Sequence, residues 1–177
     1  MAAPTSQDGS ARHKRLVIYL NDHLAGATAG VELARRTAEE HRASPFGEAL
    51  ENLRKEISQD RQALVRLLAD LDVPVRHYKV YGAWLAEKAG RAKPNGRLVR
   101  RSGLALLVEL EALRLGVQGK AALWRGLLAA SAQDARLPAD RLEELLRRAD
   151  RQIETLDSLH GRAAPALLEG AGAPQPS

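Results

Sequence analysis

A chain of 177 residues can bury one hydrophobic core without a disulfide or a structural zinc, and having no cysteine it offers neither a thiolate site nor a disulfide framework. Its net charge of +5 permits contact with nucleic acid or anionic lipid, but aromatic residues at 3% are too few to build stacking platforms for single strands. No apolar run suits a secretory signal or a transmembrane span, so a cytoplasmic location is expected, and the wealth of Arg, Ala and Leu reads as bacterial coding bias.

Residues 1–13 are polar and carry Pro, Gly and Ser, the composition of a disordered arm. A first helical pattern follows from about Lys14 to His41, with Leu16, Leu20, Leu24, Ala27, Val31, Ala34 and Ala38 recurring every three or four residues. Its stretch Gly26-Ala27-Thr28-Ala29-Gly30 has small side chains throughout. Because glycine costs helix stability, this stretch predicts a neighbouring helix packed very close. Ser44 and Pro45 suit the cap and first turn of a second helix, expected from about Pro45 to Leu71. Its stripe is Phe46, Leu50, Leu53, Ile57, Leu64, Leu67 and Leu71, with one polar beat at Asp60. A carboxylate on a core seam must be paired or bound, and Arg61 and Arg54 are the nearest cations in sequence.

Pro74 closes that region, and a crossover helix is expected over about residues 75–91. The crossover region is rich in Arg76, His77, Lys79, Lys88, Arg91, Lys93, Arg97, Arg100 and Arg101, interleaved with Tyr78, Tyr81 and Trp84. Residues 76–101 are therefore a candidate contact for nucleic acid or anionic lipid, set against a plain solvated basic face. A third long helix is expected from about Ser102 to Ser131 on Leu106, Leu110, Leu113, Val117, Ala121, Trp124 and Leu128. A fourth is expected from Pro138 to His160 on Leu142, Leu145, Ala149, Ile153 and Leu156, with Gly161 as its stop. Residues 161–177 read as a flexible tail. The fold class is all-α, a four-helix bundle over residues 14–160 with disordered termini. Short links make helices one and two, and three and four, antiparallel hairpins. The long link between the hairpins, whose helix of some 16 residues would cover roughly 24 Å, predicts that the second and third helices run parallel.

The two hairpins also read as weak repeats: Asp22 precedes Gly30 by the same interval as Glu111 precedes Gly119. This layout resembles the ferritin-like superfamily. The stretches YLNDHLAGATAGVELARR, YGAWLAEKAGRAKPNGRL and VELEALRLGVQGKAALW are similar to a bacterial family of unassigned activity within it. The resemblance spans about residues 14–160. Di-iron members of the superfamily place a Glu on each of two helices and a Glu-x-x-His on each of the others. Here no Glu-x-x-His occurs; the nearest pieces are Asp157-Ser158-Leu159-His160 and Glu56-Ile57-Ser58-Gln59.

Counting levels outward from the turns near Ser44 and near Asp134 and Ala135 gathers Glu32, Glu56, Glu109 or Glu111, Asp157 and His160 in one layer. Oxygen and imidazole ligands of this kind suit iron, manganese or zinc. An up-down-up-down bundle would instead gather Asp22, His23, Glu109 or Glu111, and His160. Chance alignment of surface acids competes with both layers. No serine or cysteine nucleophile arrangement, Walker loop or dinucleotide fingerprint appears, so whether the chain is an enzyme stays open. The expected function is a divergent ferritin-like bundle binding metal through inward carboxylates and His160, in metal handling or stress protection. The alternative is a non-enzymatic helical interaction module that uses exposed helix faces or the basic crossover to contact a protein or anionic partner; a homo-oligomer or a protein partner is open in either case.

Overall fold

A computed structural model describes residues 6–76 and 103–168. Four long helices account for most of them: α1 (Ser6–Glu40), α2 (Gly47–Asp70), α3 (Gly103–Ser131) and α4 (Ala139–Ala163), followed by a 3₁₀ turn at Ala164–Leu167. Among the described residues there is no strand, and no helix is long and apolar enough to cross a membrane.

The helix directions follow from which ends meet. His41, just past the end of α1, faces Glu109 near the start of α3, while Arg12 near the start of α1 lies 4.0 Å from Asp134, beyond the end of α3. The Arg162 guanidinium, at the end of α4, sits over the Phe46 ring at the start of α2, and Asp70 at the end of α2 lies 3.7 Å from Arg141 at the start of α4. Helices α1 and α4 therefore run one way and α2 and α3 the other, so α2 and α3 are parallel, as the link lengths predict. The core is a single cluster of inward residues from all four helices, among them Leu20, Leu50, Leu64, Leu110, Trp124, Leu142 and Leu156, each at most 2% exposed.

The boundaries differ from expectation in places, each for a local reason. Residues 6–13, expected in the disordered arm, belong to α1, because extending a formed helix adds a hydrogen bond for each residue fixed. Ser44 does not cap α2. Its hydroxyl donates to the His41 carbonyl at 2.7 Å and accepts from the Phe46 N–H at 3.2 Å, so it closes the turn, and the helix begins at Gly47. Helix α4 does not stop at Gly161. It runs on to Ala163, which is buried, and Pro165 then ends α-helical bonding.

At the far end of α2, Asp72 adopts a left-handed φ of 55°, its N–H bonding the Ala69 carbonyl and that of Val73 bonding the Leu68 carbonyl. This is a Schellman ending, sealed by buried Val73. The chain is then tied to α1 by Asn21, itself 1% exposed. The Asn21 amide donates to the carbonyls of Val17 and Pro74, and its oxygen accepts the Arg76 N–H at 2.8 Å. Val75 and Arg76 are not helical; the remainder of the expected crossover helix and basic segment lies outside the described residues.

The glycines separate into two kinds. A Cβ on Gly47 would meet the Arg42 carbonyl oxygen at 2.3 Å, so that turn needs glycine. A Cβ on Gly26 or Gly30 would meet nothing within 4 Å, which overturns the expectation that α1 is small there to admit a close neighbour. Gly30→Ala should therefore gain about 0.5–1 kcal/mol. Gly47→Ala should lose about 1–3 kcal/mol through backbone displacement. Urea denaturation of the two variants checks both signs.

The α3–α4 turn makes a further prediction. Asp134 accepts from the Arg136 backbone N–H at 3.2 Å and from its guanidinium at 3.0 and 2.9 Å. These bonds, with the Arg136 side chain foremost, hold the Asp134 carboxyl at a pKa of about 2 instead of 3.8. A depressed folded pKa stabilises fully above the unfolded value and ceases to do so as pH falls through the folded one. The stability difference between wild type and Asp134→Asn should shrink steadily as pH is lowered from about 5 to about 2, as read by urea denaturation at each pH.

Candidate functional site

The polar beat at Asp60 is filled from other helices. Asp60 is 1% exposed. One carboxylate oxygen accepts from the Arg148 guanidinium of α4, with Nε at 2.6 Å, and the other from Lys120 Nζ of α3 at 2.5 Å and Gln152 Nε2 of α4 at 3.1 Å. Gln152, also 1% exposed, completes the set by accepting from Lys120 at 2.5 Å and donating to Glu56 of α2 at 3.0 Å. Two carboxylates thus meet two cations and an amide across three helices. Burial lowers the Lys120 pKa, and the neighbouring Asp60 carboxylate opposes that shift. The cations named from sequence are engaged elsewhere: Arg54 binds Glu51 within α2, and Arg61 donates to the Thr28 hydroxyl of α1.

The six residues expected to form a metal layer do not meet at one point. Exposed Glu32 binds Arg35 of its own helix at 2.8 Å, and this hydrogen bond lowers its pKa. Glu56 belongs to the Asp60 network. Asp157 forms a two-pronged pair with Arg114 at 2.5 and 3.2 Å, which likewise lowers its pKa. His160 lies 3.1 Å from Glu111, and Glu109 faces His41 at the top of α1. The reason is the supply of arginine one turn away or directly opposite, together with a hairpin register shifted from the counted one. The midpoint of Glu111 and His160 falls between Ala135 and Arg136, one residue beyond the counted centre. The alternative layer around Asp22 and His23 required antiparallel α2 and α3 and does not form. His23 instead packs edge-on to Tyr19, at 4.7 Å between ring centroids, and burial lowers its pKa.

What the structure does bring together is a set the sequence reading missed. Glu40 and His41 at the end of α1 and Glu109 of α3 each place a ligand atom within 4.8 Å of the others. His41 Nε2 and Glu109 Oε2 lie 3.3 Å apart, both shielded from solvent and neither in a well-formed hydrogen bond. Thr37, wholly buried one turn earlier on α1, lies against Glu109, and its hydroxyl has no hydrogen-bond partner among the described residues. Burial, then the charge of Glu40, raises the Glu109 pKa, while His41 opposes the rise. The last turn of α1 contains no basic residue, and although Glu39 is paired with Arg35 one turn back, Glu40 stands unfavourably at the negative pole of the helix. A cation held by Glu40, His41 and Glu109 would answer that pole. Two carboxylates and one imidazole form a donor set for manganese, iron or zinc, with coordination positions left open. The sequence signal was available: a Glu-His pair at a helix end, with a carboxylate level with it on the helix that begins there.

No protein-family model matches the chain, and comparison with curated proteins and with solved structures found no significant match.

The Asp60 network yields a stability prediction. Asp60→Leu alone leaves Lys120 and Arg148 without their carboxylate and should cost about 3–5 kcal/mol. Adding Lys120→Met removes the more deeply buried charge and should recover roughly half of the loss. Guanidinium denaturation followed by circular dichroism distinguishes this from simple additivity, under which the second change would deepen the deficit.

Proposed function

We propose that this chain is a divergent bundle of the ferritin-like type that binds one divalent transition-metal ion through Glu40, His41 and Glu109, in metal handling or stress protection. The observation that carries the reading is the facing pair His41 Nε2 and Glu109 Oε2, 3.3 Å apart, sheltered and without well-formed hydrogen bonds beside Glu40. Two donors bound to one tetrahedral ion at about 2.1 Å stand roughly 3.4 Å apart. The pair therefore already has ligand spacing, and a Glu40 carboxylate oxygen lies within 4.8 Å of it. Thr37 would serve as an outer-shell partner orienting Glu109.

The two antiparallel hairpins with parallel α2 and α3 support the ferritin-like part of the proposal. The Asp60 network accounts for the site lying at the end of the bundle. At mid-bundle, Lys120 and Arg148 already neutralise Asp60 and Glu56, so a metal ion there would have to compete with the protein's own cations.

One observation favours a second reading, a helical interaction module. Leu104, Val108 and Leu115 of α3 are 47%, 56% and 71% exposed and follow helical spacing along one side. The basic crossover invoked for an anionic partner falls almost wholly outside the described residues.

Thermal unfolding with and without added manganese, zinc or ferrous ion tests the proposal on protein purified without a polyhistidine tag. An ion at about one hundred times its dissociation constant contributes about 2.7 kcal/mol, which raises the Tm of a chain this size by roughly 5–10 °C. His41→Ala and Glu109→Gln should each remove most of the rise, while His160→Ala should leave it. A Tm indifferent to all three ions, together with no metal by elemental analysis, would overturn the proposal.

A further inference from the structure

Helix α3 is apolar on two opposite sides. One side belongs to the core. On the other, Val108, Ala112, Leu115, Gly119, Ala122 and Gly126 are all exposed and recur at alternating intervals of four and three residues. No charge stands on that line. The charged side chains of α3 turn to its neighbours instead: Glu109 to His41, Glu111 to His160, Lys120 to Asp60, and Arg114 and Arg125 to Asp157 and Asp150. Helices α2 and α4 behave differently, with Lys55 and Arg66 of α2 and Glu143, Arg147 and Glu154 of α4 exposed. A helix apolar all round is ordinarily covered all round, and alternation of four and three is the 3.5-residue period of a seam between two helices. Among the described residues no helix covers this seam.

The order of side-chain sizes along the line identifies the helix that fits. We infer that a second copy of the chain packs its α3 antiparallel against this face, about a two-fold axis level with Val117. In that register Leu115 of each copy meets Gly119 of the other, Val108 meets Gly126, and Ala112 meets Ala122. Each large side chain therefore finds a glycine. There is room for it: among the described residues, a Cβ on Gly119 would meet nothing within 4 Å, and one on Gly126 only the Tyr19 hydroxyl at 3.5 Å. A two-fold contact needs a surface complementary to itself, and this pattern of sizes is so.

The charges beside the seam agree. Glu111, Gln118 and Arg125 follow one another at heptad spacing along its α4 side. They mirror about Gln118, one residue from the axis of the seam, an offset within the lean of long side chains. Glu111 of each copy thus stands beside Arg125 of the other, and Gln118 beside its own mate. Charged pairs at such flanking positions set the orientation of packed helices. A parallel copy would lose those pairs and would set Leu115 against Leu115 and glycine against glycine, which leaves voids between the large layers. The inference stands apart from the metal proposal, whose residues are not on the seam, and gives the exposed face of α3 a partner.

Sedimentation equilibrium of the full chain at low salt tests it, with EDTA present so that no metal-bridged assembly enters the measurement. The mass should approach twice 19.2 kDa as concentration rises. Leu115→Gln should raise the dimer dissociation constant at least about tenfold while leaving the helical circular dichroism unchanged, because the side chain points away from the core. Glu111→Arg and Arg125→Glu each put like charges together twice per dimer and should weaken it about threefold or more. An equimolar mixture of those two variants should pair more tightly than either alone, since every flanking pair in the mixed dimer is then of opposite sign. A chain that stays monomeric to about 0.1 mM, as cover of the seam by another part of the chain would produce, overturns the inference. So does a dimer that Leu115→Gln leaves intact, or a mixture no tighter than its components.

Discussion

The Asp60 carboxylate is the constraint on which the arrangement of the other helices depends. A charge buried to 1% exposure is tolerable only with opposite charges and hydrogen bonds on every side, and no single neighbouring helix supplies them. Lys120 comes from α3, Arg148 and Gln152 from α4, and Glu56 extends the set along α2. A slip of one residue between α3 and α4 would turn Lys120 or Gln152 away. The apolar stripes alone tolerate such a slip, because Leu and Ala are interchangeable partners at this level of packing. The network therefore fixes register, and the pairs Arg114–Asp157 and Arg125–Asp150 flank it on either side along the α3–α4 seam.

Helix α1 contributes no charge to that network, and this shapes its contact with α3. The two helices are joined near their ends, by Glu109 with His41 and by Arg12 with Asp134. Between those points stand Gly26, Gly30, Gly116 and Gly119, and the seam opens into a groove. The carboxylate–imidazole set lies at one end of this seam and a half-open groove at its middle. Helices α1 and α2 meet instead through leucine packing, and α3 and α4 through leucines and ion pairs.

Much of the architecture was legible because the physics that makes it is periodic. Leu16 to Ala38, Leu50 to Leu71, Leu106 to Leu128 and Leu142 to Leu156 recur at helical spacing, and link lengths set the parallel course of α2 and α3. Asp60 was legible as an anomaly on its stripe. Its partners were not. Lys120 and Arg148 immediately precede the inward residues Ala121 and Ala149, and their Cβ atoms flank the core. A stripe describes where Cβ points, whereas a lysine or arginine head ends several ångströms away. The expected metal layer failed for a neighbouring reason. Level counting located Glu32 and Asp157 along the bundle axis but took no account of Arg35 one turn on, or of Arg114 across the hairpin, which were close enough to take both carboxylates.

The glycines show where sequence reasoning reverses sign. A small residue in a helix means either that a neighbour must come close or that a space must be kept, and the residue itself is identical in the two cases. Only the opposing surface decides. At Gly47 the opposing atom is a backbone carbonyl 2.3 Å from where Cβ would be, and at Gly30 there is no opposing atom within 4 Å. The same ambiguity attaches to Trp124. As a stripe residue it reads as core, and its ring is core, yet its indole N–H has no acceptor among the described residues. Gly26, Gly116 and Gly119 are exposed, so the space beside them is open to solvent, and alanine at each would remove a cost in helix propensity without meeting a neighbour among the described residues, whereas the buried Trp124 ring holds its place by packing.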